Sequence, residues 1–170
     1  EAGKVIGVDM TEAMINKARK NAEKLGFNNV EFRLGDIEKM PVSDNLADVV
    51  ISNCVLNLVP VKEKAFKEIF RILKPGGHLS VSDVVLRGAL HEKIQQAAEM
   101  YAGCVSGAID IDLYLKMMSK SGLVNIKVQK DKIISIPDET LLNYLDQAEL
   151  KKFKESGSGI FSITVYAEKP

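Results

Sequence analysis

The side chains best suited to chemistry in this sequence are a few acids and two cysteines. In an open sheet covered by helices, ligands collect beyond the carboxyl ends of the parallel strands. The positions just past the apolar runs here are Asp9-Met10, Gly35-Asp36, Asn53-Cys54 and Ser82-Asp83. Two acids at neighbouring strand ends suit a nucleoside: one carboxylate can accept both ribose hydroxyls, and another can accept the exocyclic adenine amine. Met10 could lie against the adenine face. The plainer alternative makes Asp9 and Asp36 turn and cap residues, positions that Asp favours anyway. For the thiols, Cys54 beside Val55 could be core filling, since cysteine is among the most buried residue types. Cys104, flanked by Gly103 and Val105 with Gly107 nearby, reads as a loop residue. A zinc site from Cys54, His78, His91 and Cys104 lacks the short Cys-x-x-Cys spacing that preorganises such sites. Ser82, Asp83 and His91 lack a Gly-x-Ser-x-Gly elbow. The lysines of residues 62–74 read as the wet face of a helix.

The elements that must hold these residues follow from periodicity. Lys4 to Val8 is a short β-branched strand ending at Asp9, and Thr11 caps a helix. Met10, Met14, Ile15, Ala18, Ala22 and Leu25 form its apolar stripe, which Gly26 terminates. Residues 29–34 alternate as a second strand, and the consecutive apolar run in 47–52 predicts a third strand buried on both faces. Ala65, Phe66, Ile69, Phe70 and Leu73 mark a second helix, stopped by Lys74-Pro75-Gly76-Gly77, and Leu79 to Leu86 is a fourth strand. Helices are expected over 89–101 and 110–121, a strand over Leu123 to Gln129, and a short helix from Asp138 to about Leu145. A polar stretch ending in Ser156-Gly157-Ser158-Gly159 leads to Ile160 to Ala167, whose alternation predicts an edge or antiparallel strand. Strands alternating with helices imply a parallel sheet covered on its faces, an α/β fold.

Composition narrows the classes. The chain has 170 residues, with 23 basic and 23 acidic side chains, so no basic excess supports phosphate neutralisation on nucleic acid. No apolar run approaches the roughly 18 residues of a membrane span. Two cysteines cannot form a disulfide scaffold, and the expectation is a cytoplasmic protein whose thiols stay reduced. Nucleotide sites of this kind also place a glycine-rich turn about 20 residues before the ribose acid. Asp9 lies too near the first residue for that, so the chain is expected to be an N-terminally truncated single domain over residues 1–170, with 1–86 on the cofactor side and 87–170 on the substrate and C-terminal side.

Five segments resemble arsenite methyltransferases: Val5-Ile6-Gly7-Val8-Asp9-Met10-Thr11, Gly35-Asp36-Ile37, Ser52-Asn53-Cys54-Val55-Leu56-Asn57-Leu58, Leu73-Lys74-Pro75-Gly76-Gly77 and Tyr101-Ala102-Gly103-Cys104-Val105-Ser106-Gly107-Ala108. Asp9, the Gly-Asp pair and the Lys-Pro-Gly-Gly turn are shared across the S-adenosylmethionine-dependent class I methyltransferase superfamily, whereas the two cysteine segments are narrower. The resemblance covers residues 4 to about 128. It implies a Rossmann-like α/β sheet with helices on both faces and an antiparallel last strand. The superfamily's first strand, central in the sheet, is absent here, which should leave a gap or force its neighbours to pair. Asp9 would hold the ribose diol, Met10 would contact adenine, and Gly35, Asp36 and Ile37 would line the adenine edge. Asn53 would line the methionine end of S-adenosylmethionine. Cys54 and Cys104 would hold trivalent arsenic, a soft centre matched to thiolate sulfur, with a third sulfur expected from a small thiol or from the missing N-terminal part. Arsenite is then the implied substrate, with methylation of another small acceptor (as in ubiquinone biosynthesis) or binding without turnover as alternatives, and a homodimer through the exposed sheet edges is the implied assembly.

Overall fold

The computed structural model describes residues 3–88, 90, 93–94 and 105–170. Its first unit is β1 (Val5–Asp9), α1 (Glu12–Leu25) and β2 (Val30–Leu34). The two strands pair in parallel from Val5↔Val30 to Asp9↔Leu34. At the entry to α1 the Thr11 N–H donates to Asp9 Oδ1 at 2.7 Å. At its exit Gly26 takes a left-handed φ of 72° that a Cβ would oppose. Only half of the apolar stripe is covered: Ile15 and Ala22 are buried, whereas Met14 and Leu25 are exposed.

The remaining elements are β3 (Ala47–Asn53), a 3-10 turn (Leu56–Leu58), α2 (Lys62–Ile72), β4 (Leu73–Arg87), α3 (Ile111–Lys120), β5 (Val124–Ile133), α4 (Asp138–Leu141), α5 (Gln147–Glu155) and β6 (Gly159–Glu168). They build a second sheet of order β3-β4-β6-β5. β3 runs parallel to β4, and β6 runs antiparallel to both β4 and β5. Alternation along β4 feeds two cores. Leu79, Val81 and Val85 join Phe66, Ile69, Tyr114 and Met118 of α2 and α3 on one face. Val84 joins Leu141, Leu150 and Ile160 on the other. Burying each of these large side chains stabilises the fold by about 1.5–3 kcal/mol, which is why the helices sit on both faces of this sheet.

β1 and β3 do not pair with each other, so of the two expected outcomes, a gap or direct pairing, the structure has the gap. Other expectations need correction. β3 is not buried on both faces: Val50 packs against the larger core, but Ile51 on the opposite face is 78% exposed. A run of apolar residues reports what a strand can bury, and β3 is bonded along one edge only, to β4. Lys62 is not on a wet helix face but buried, its ammonium donating to the Val59 carbonyl at 3.1 Å. The stretch expected to be polar and irregular contains α5, which Asp146 and Glu149 open with a capping box. β6 is antiparallel as expected but lies between β4 and β5, leaving β5 at the edge. Most of the helix expected over 89–101, together with His91 and Cys104, lies outside the described residues.

Candidate functional site at the strand ends

The first pair of acids meets where β1 and β2 end. The Gly35 N–H donates to the Asp9 carbonyl at 2.9 Å, which sets Asp9, Met10, Gly35 and Asp36 side by side. Asp9 Oδ1 accepts the Thr11 N–H, and Asp36 Oδ1 accepts the Glu38 N–H at 2.8 Å. Both are the local turns that Asp favours. Each turn occupies one carboxylate oxygen, so the turn role and a ligand role are compatible. Met10, 77% exposed, stands beside them. Ile37 is half-buried against the larger core. Gly35 is hemmed in by Pro41, whose Cγ would lie 2.7 Å from any Cβ at that position.

The loop from β2 to β3 holds this corner against the second sheet. Glu38 Oε1 accepts the Val61 N–H at 3.0 Å. Glu68 accepts the Met40 N–H at 2.7 Å. Arg71 donates to Glu68 at 2.7 Å, to Asp44 at 2.6 Å, and to the carbonyls of Val42 and Met40 at 2.8 and 3.1 Å. The guanidinium beside Glu68 holds its carboxyl below the usual carboxylate range. Charged bonds of this kind are the stronger ones, and they tie the loop that follows β2 to α2 and to the residue before it.

At that third end Asn53 is exposed and Cys54 half-buried. The Cys54 N–H donates to the Ser82 carbonyl at 2.8 Å, extending the β3–β4 ladder. Cys54 has a φ of 53°, a left-handed conformation that costs a non-glycine residue of order 1 kcal/mol and recurs at functional sites. Its side chain packs against the smaller core, which also contains Val105, the residue after Cys104. The loop bearing Val105 closes tightly on the turn after Cys54. A Cβ on Gly107 would overlap the Asn57 carbonyl oxygen and lie 2.9 Å from its carbon. Cys104 itself is outside the described residues. His78 is half-buried and stacks on Tyr166 with ring centroids 5.3 Å apart. Among the described residues no three His, Cys, Asp or Glu side chains converge as metal ligands.

Ser82 and Asp83 do not stand just past a strand end, where they are expected, but lie inside β4 opposite Thr164 and Ile163 of β6, because β4 continues to Arg87. Asp83 is buried, and accepts a hydrogen bond from the Tyr114 hydroxyl at 2.8 Å. Burial pushes its carboxyl up to about 6, opposed by the Tyr114 hydroxyl, the Asn57 backbone N–H and the Lys62 charge. Burial lowers the Lys62 pKa, and Asp83 counters that. The sequence signal was an acid inside the alternation Leu79, Val81, Asp83, Val85, all on the core face.

Comparison with known proteins matches this geometry to a family. The model of a methyltransferase domain matches residues 1–142. An arsenite methyltransferase of Halobacterium salinarum is 38% identical over 168 residues, covering 99% of this chain and 41% of that protein. One from Aquipseudomonas alcaligenes is 36% identical over 154 residues, covering 86% of this chain and 44% of that protein. The chain thus spans less than half the length of these curated relatives. An arsenic(III) S-adenosylmethionine methyltransferase from Chlamydomonas reinhardtii superimposes with a TM-score of 0.75 at 29% identity, over 98% of this chain and 55% of that one. A pair of parallel strands with Asp9 and Asp36 at their carboxyl ends, and a domain match over most of the sequence, make this chain a member of the methyltransferase domain family.

Proposed function

We propose that the chain is part of an S-adenosylmethionine-dependent methyltransferase acting on trivalent arsenic held by Cys54 and Cys104. The observation that carries the reading is the close packing of Gly107 on the Asn57 carbonyl. Gly107 and Asn57 each stand three residues after one of the two cysteines, and Cys54 is in a left-handed conformation that glycine or asparagine would adopt more readily. Arsenous acid condenses with two thiols, forming two As–S bonds and releasing two waters. The arsenic keeps its lone pair, and a small thiol supplies the third sulfur. The relatives named above as arsenite methyltransferases support this substrate.

The donor set at the ends of β1 and β2 fits the adenosine portion of the cofactor. Asp9 would take the ribose hydroxyls, Asp36 with Gly35 and Ile37 the adenine edge, and Met10 the ring face. Asn53 would face the methionine portion. When bound, S-adenosylmethionine supplies a methyl carbon on a sulfonium, an electrophile toward the arsenic lone pair, so the protein need provide no general base. Its task is alignment, holding the reacting atoms about 3–3.5 Å apart. In this reading residues 1–86 carry the cofactor side and 87–170 the substrate and C-terminal side of one domain, working in the reducing cytoplasm where the thiols stay reduced.

Equilibrium dialysis of arsenite against the chain and its Cys54→Ser, Cys104→Ser and Cys54→Gly variants tests the reading. Two sulfurs on one scaffold act with high effective concentration, so loss of either should weaken binding by about 100-fold or more. Cys54→Gly should lose binding equally while melting no lower than Cys54→Ser, because it relieves the left-handed backbone. Single-serine variants that retain arsenite as the parent does would overturn the two-thiol assignment.

A further inference from the structure

We propose that the open half of one face of the second sheet, across β3, β4, β6 and β5, is a docking surface for an acidic amphipathic helix of a partner protein. The inference goes beyond the methyl-transfer reading and does not depend on it. Strand register sets this surface out in rows. Ile51, Ser80, Tyr166 and Lys127 align across the four strands, and Asn53, Ser82, Thr164 and Lys130 form the next row. Val49 and His78 begin the row on the other side of Ile51. Side chains alternate between faces, so all of these lie opposite the larger core, which takes Val50, Leu79, Val81 and Val165. The smaller core covers this face only from Val84 onward. In the rows before it Val49, Ile51, Asn53, Lys127 and Lys130 are exposed, and His78, Ser80, Ser82, Thr164 and Tyr166 are half-buried.

Polarity on this surface runs in one direction. Its β3 side is aliphatic, with Val49 and Ile51, and its β5 side is cationic, with Lys127 and Lys130. Among the described residues neither lysine makes a salt bridge. Polar groups between the two sides are already engaged. The Ser82 and Thr164 hydroxyls lie 2.9 Å apart. The Tyr166 hydroxyl donates to Glu168 at 2.7 Å, the Asn125 amide donates to the same carboxylate at 2.6 Å, and His78 stacks on the Tyr166 ring. Covering these groups therefore strands none of them. Adjacent strands lie about 4.8 Å apart, so the aliphatic and cationic columns are roughly 14 Å apart, close to the diameter of about 10–12 Å of a helix with its side chains. Laid along the strands, such a helix turns an apolar stripe to Val49, Ile51 and the Tyr166 ring, and an acidic flank to Lys127 and Lys130. The opposite face of the sheet is covered in the same manner by α2 and α3. A nucleic acid is the poorer fit, because the lysines of these rows are confined to β5.

The probe is a fluorescein-labelled peptide of about 18 residues, long enough to be helical, with leucines at i, i+3, i+4 and i+7 and glutamates along one flank. Its counterpart carries lysines in place of the glutamates. Anisotropy titrations use the full chain, its Lys127→Glu/Lys130→Glu variant, and a Lys17→Glu/Lys20→Glu variant that makes the same change in net charge on the exposed side of α1. The parent should bind the acidic peptide about tenfold more tightly than the lysine peptide, and Lys127→Glu/Lys130→Glu should reverse that preference, since two attractions become repulsions. Lys17→Glu/Lys20→Glu should keep the preference of the parent. Val49→Glu, which replaces an aliphatic contact with an acid on the other column, should weaken the acidic peptide about tenfold. These positions are exposed, so every variant should melt within about 2 °C of the parent. No saturable binding at about 100 μM chain, no preference between the peptides, or an equal loss in Lys17→Glu/Lys20→Glu overturns the proposal. So does a parent dimer that Lys127→Glu/Lys130→Glu disperses, which makes a second copy the occupant. The arsenite reading stands or falls separately, by dialysis.

Discussion

Replacing Gly107 with alanine probes the contact on which the site depends. The added Cβ would overlap the Asn57 carbonyl oxygen, with the Asn57 carbonyl carbon at 2.9 Å and Leu58 Cα at 3.3 Å. All three atoms belong to the backbone, so no rotamer change relieves the overlap. The turn cannot retreat easily, because Leu56 and Asn57 are fully buried. The two loops must instead separate, and overpacking of this sort costs about 2–3 kcal/mol. For a domain of this size that lowers the melting temperature by roughly 5–10 °C. Gly26→Ala is the reference: nothing lies within 4 Å of its Cβ, but its φ of 72° opposes a side chain, a conformational cost of about 1 kcal/mol. Thermal unfolding followed by circular dichroism measures both, and dialysis measures arsenite. Gly107→Ala should melt lower than Gly26→Ala and lose arsenite affinity, which Gly26→Ala should keep. A Gly107→Ala chain that melts with the parent and binds arsenite equally would mean that the two loops do not meet, and the argument for a shared thiol site would go with it.

Two further outcomes follow from the fold. Asp83 is raised to about 6 by burial against an ordinary 3.8; the folded state therefore binds the proton more tightly than the unfolded state, and stability falls as pH rises through that window. The fall amounts to about 1 kcal/mol between about pH 5 and about pH 7, and urea midpoints should record it in the parent and not in Asp83→Asn; equal slopes would contradict the burial of this charge. The depressed carboxyl of Glu68 acts the other way, its stabilisation being lost as pH drops below about 4.5. The open face of β3 should also support self-association, since Ile51 is 78% exposed on a strand bonded along one edge. Sedimentation equilibrium should show a dimer that Ile51→Lys disperses, and a parent that is monomeric at high concentration would exclude association through this edge.

What the sequence determined by itself is local. The boundaries of β1, α1 and β2 lie in β-branched runs, in the apolar stripe of α1 and in Gly26, because strand and helix periods and a left-handed cap are set by neighbouring residues. Strand-end placement of Asp9, Asp36, Asn53 and Cys54 followed from the same periods. The capping box of α5 was equally local, and was obscured by the polar composition around it. Tertiary structure decided the rest. Whether Val49 and Ile51 are covered depends on what lies beside β3, which no pattern within 47–52 encodes. That Lys62 is buried, that Arg71 clasps the carbonyls of Met40 and Val42, and that Asp83 meets Tyr114 31 residues away are properties of facing surfaces. So is the packing of Gly107 on Asn57. Residue type and spacing name the groups capable of chemistry, but only the three-dimensional packing of distant segments fixes their separations, and with them the energetic cost of burying each charge.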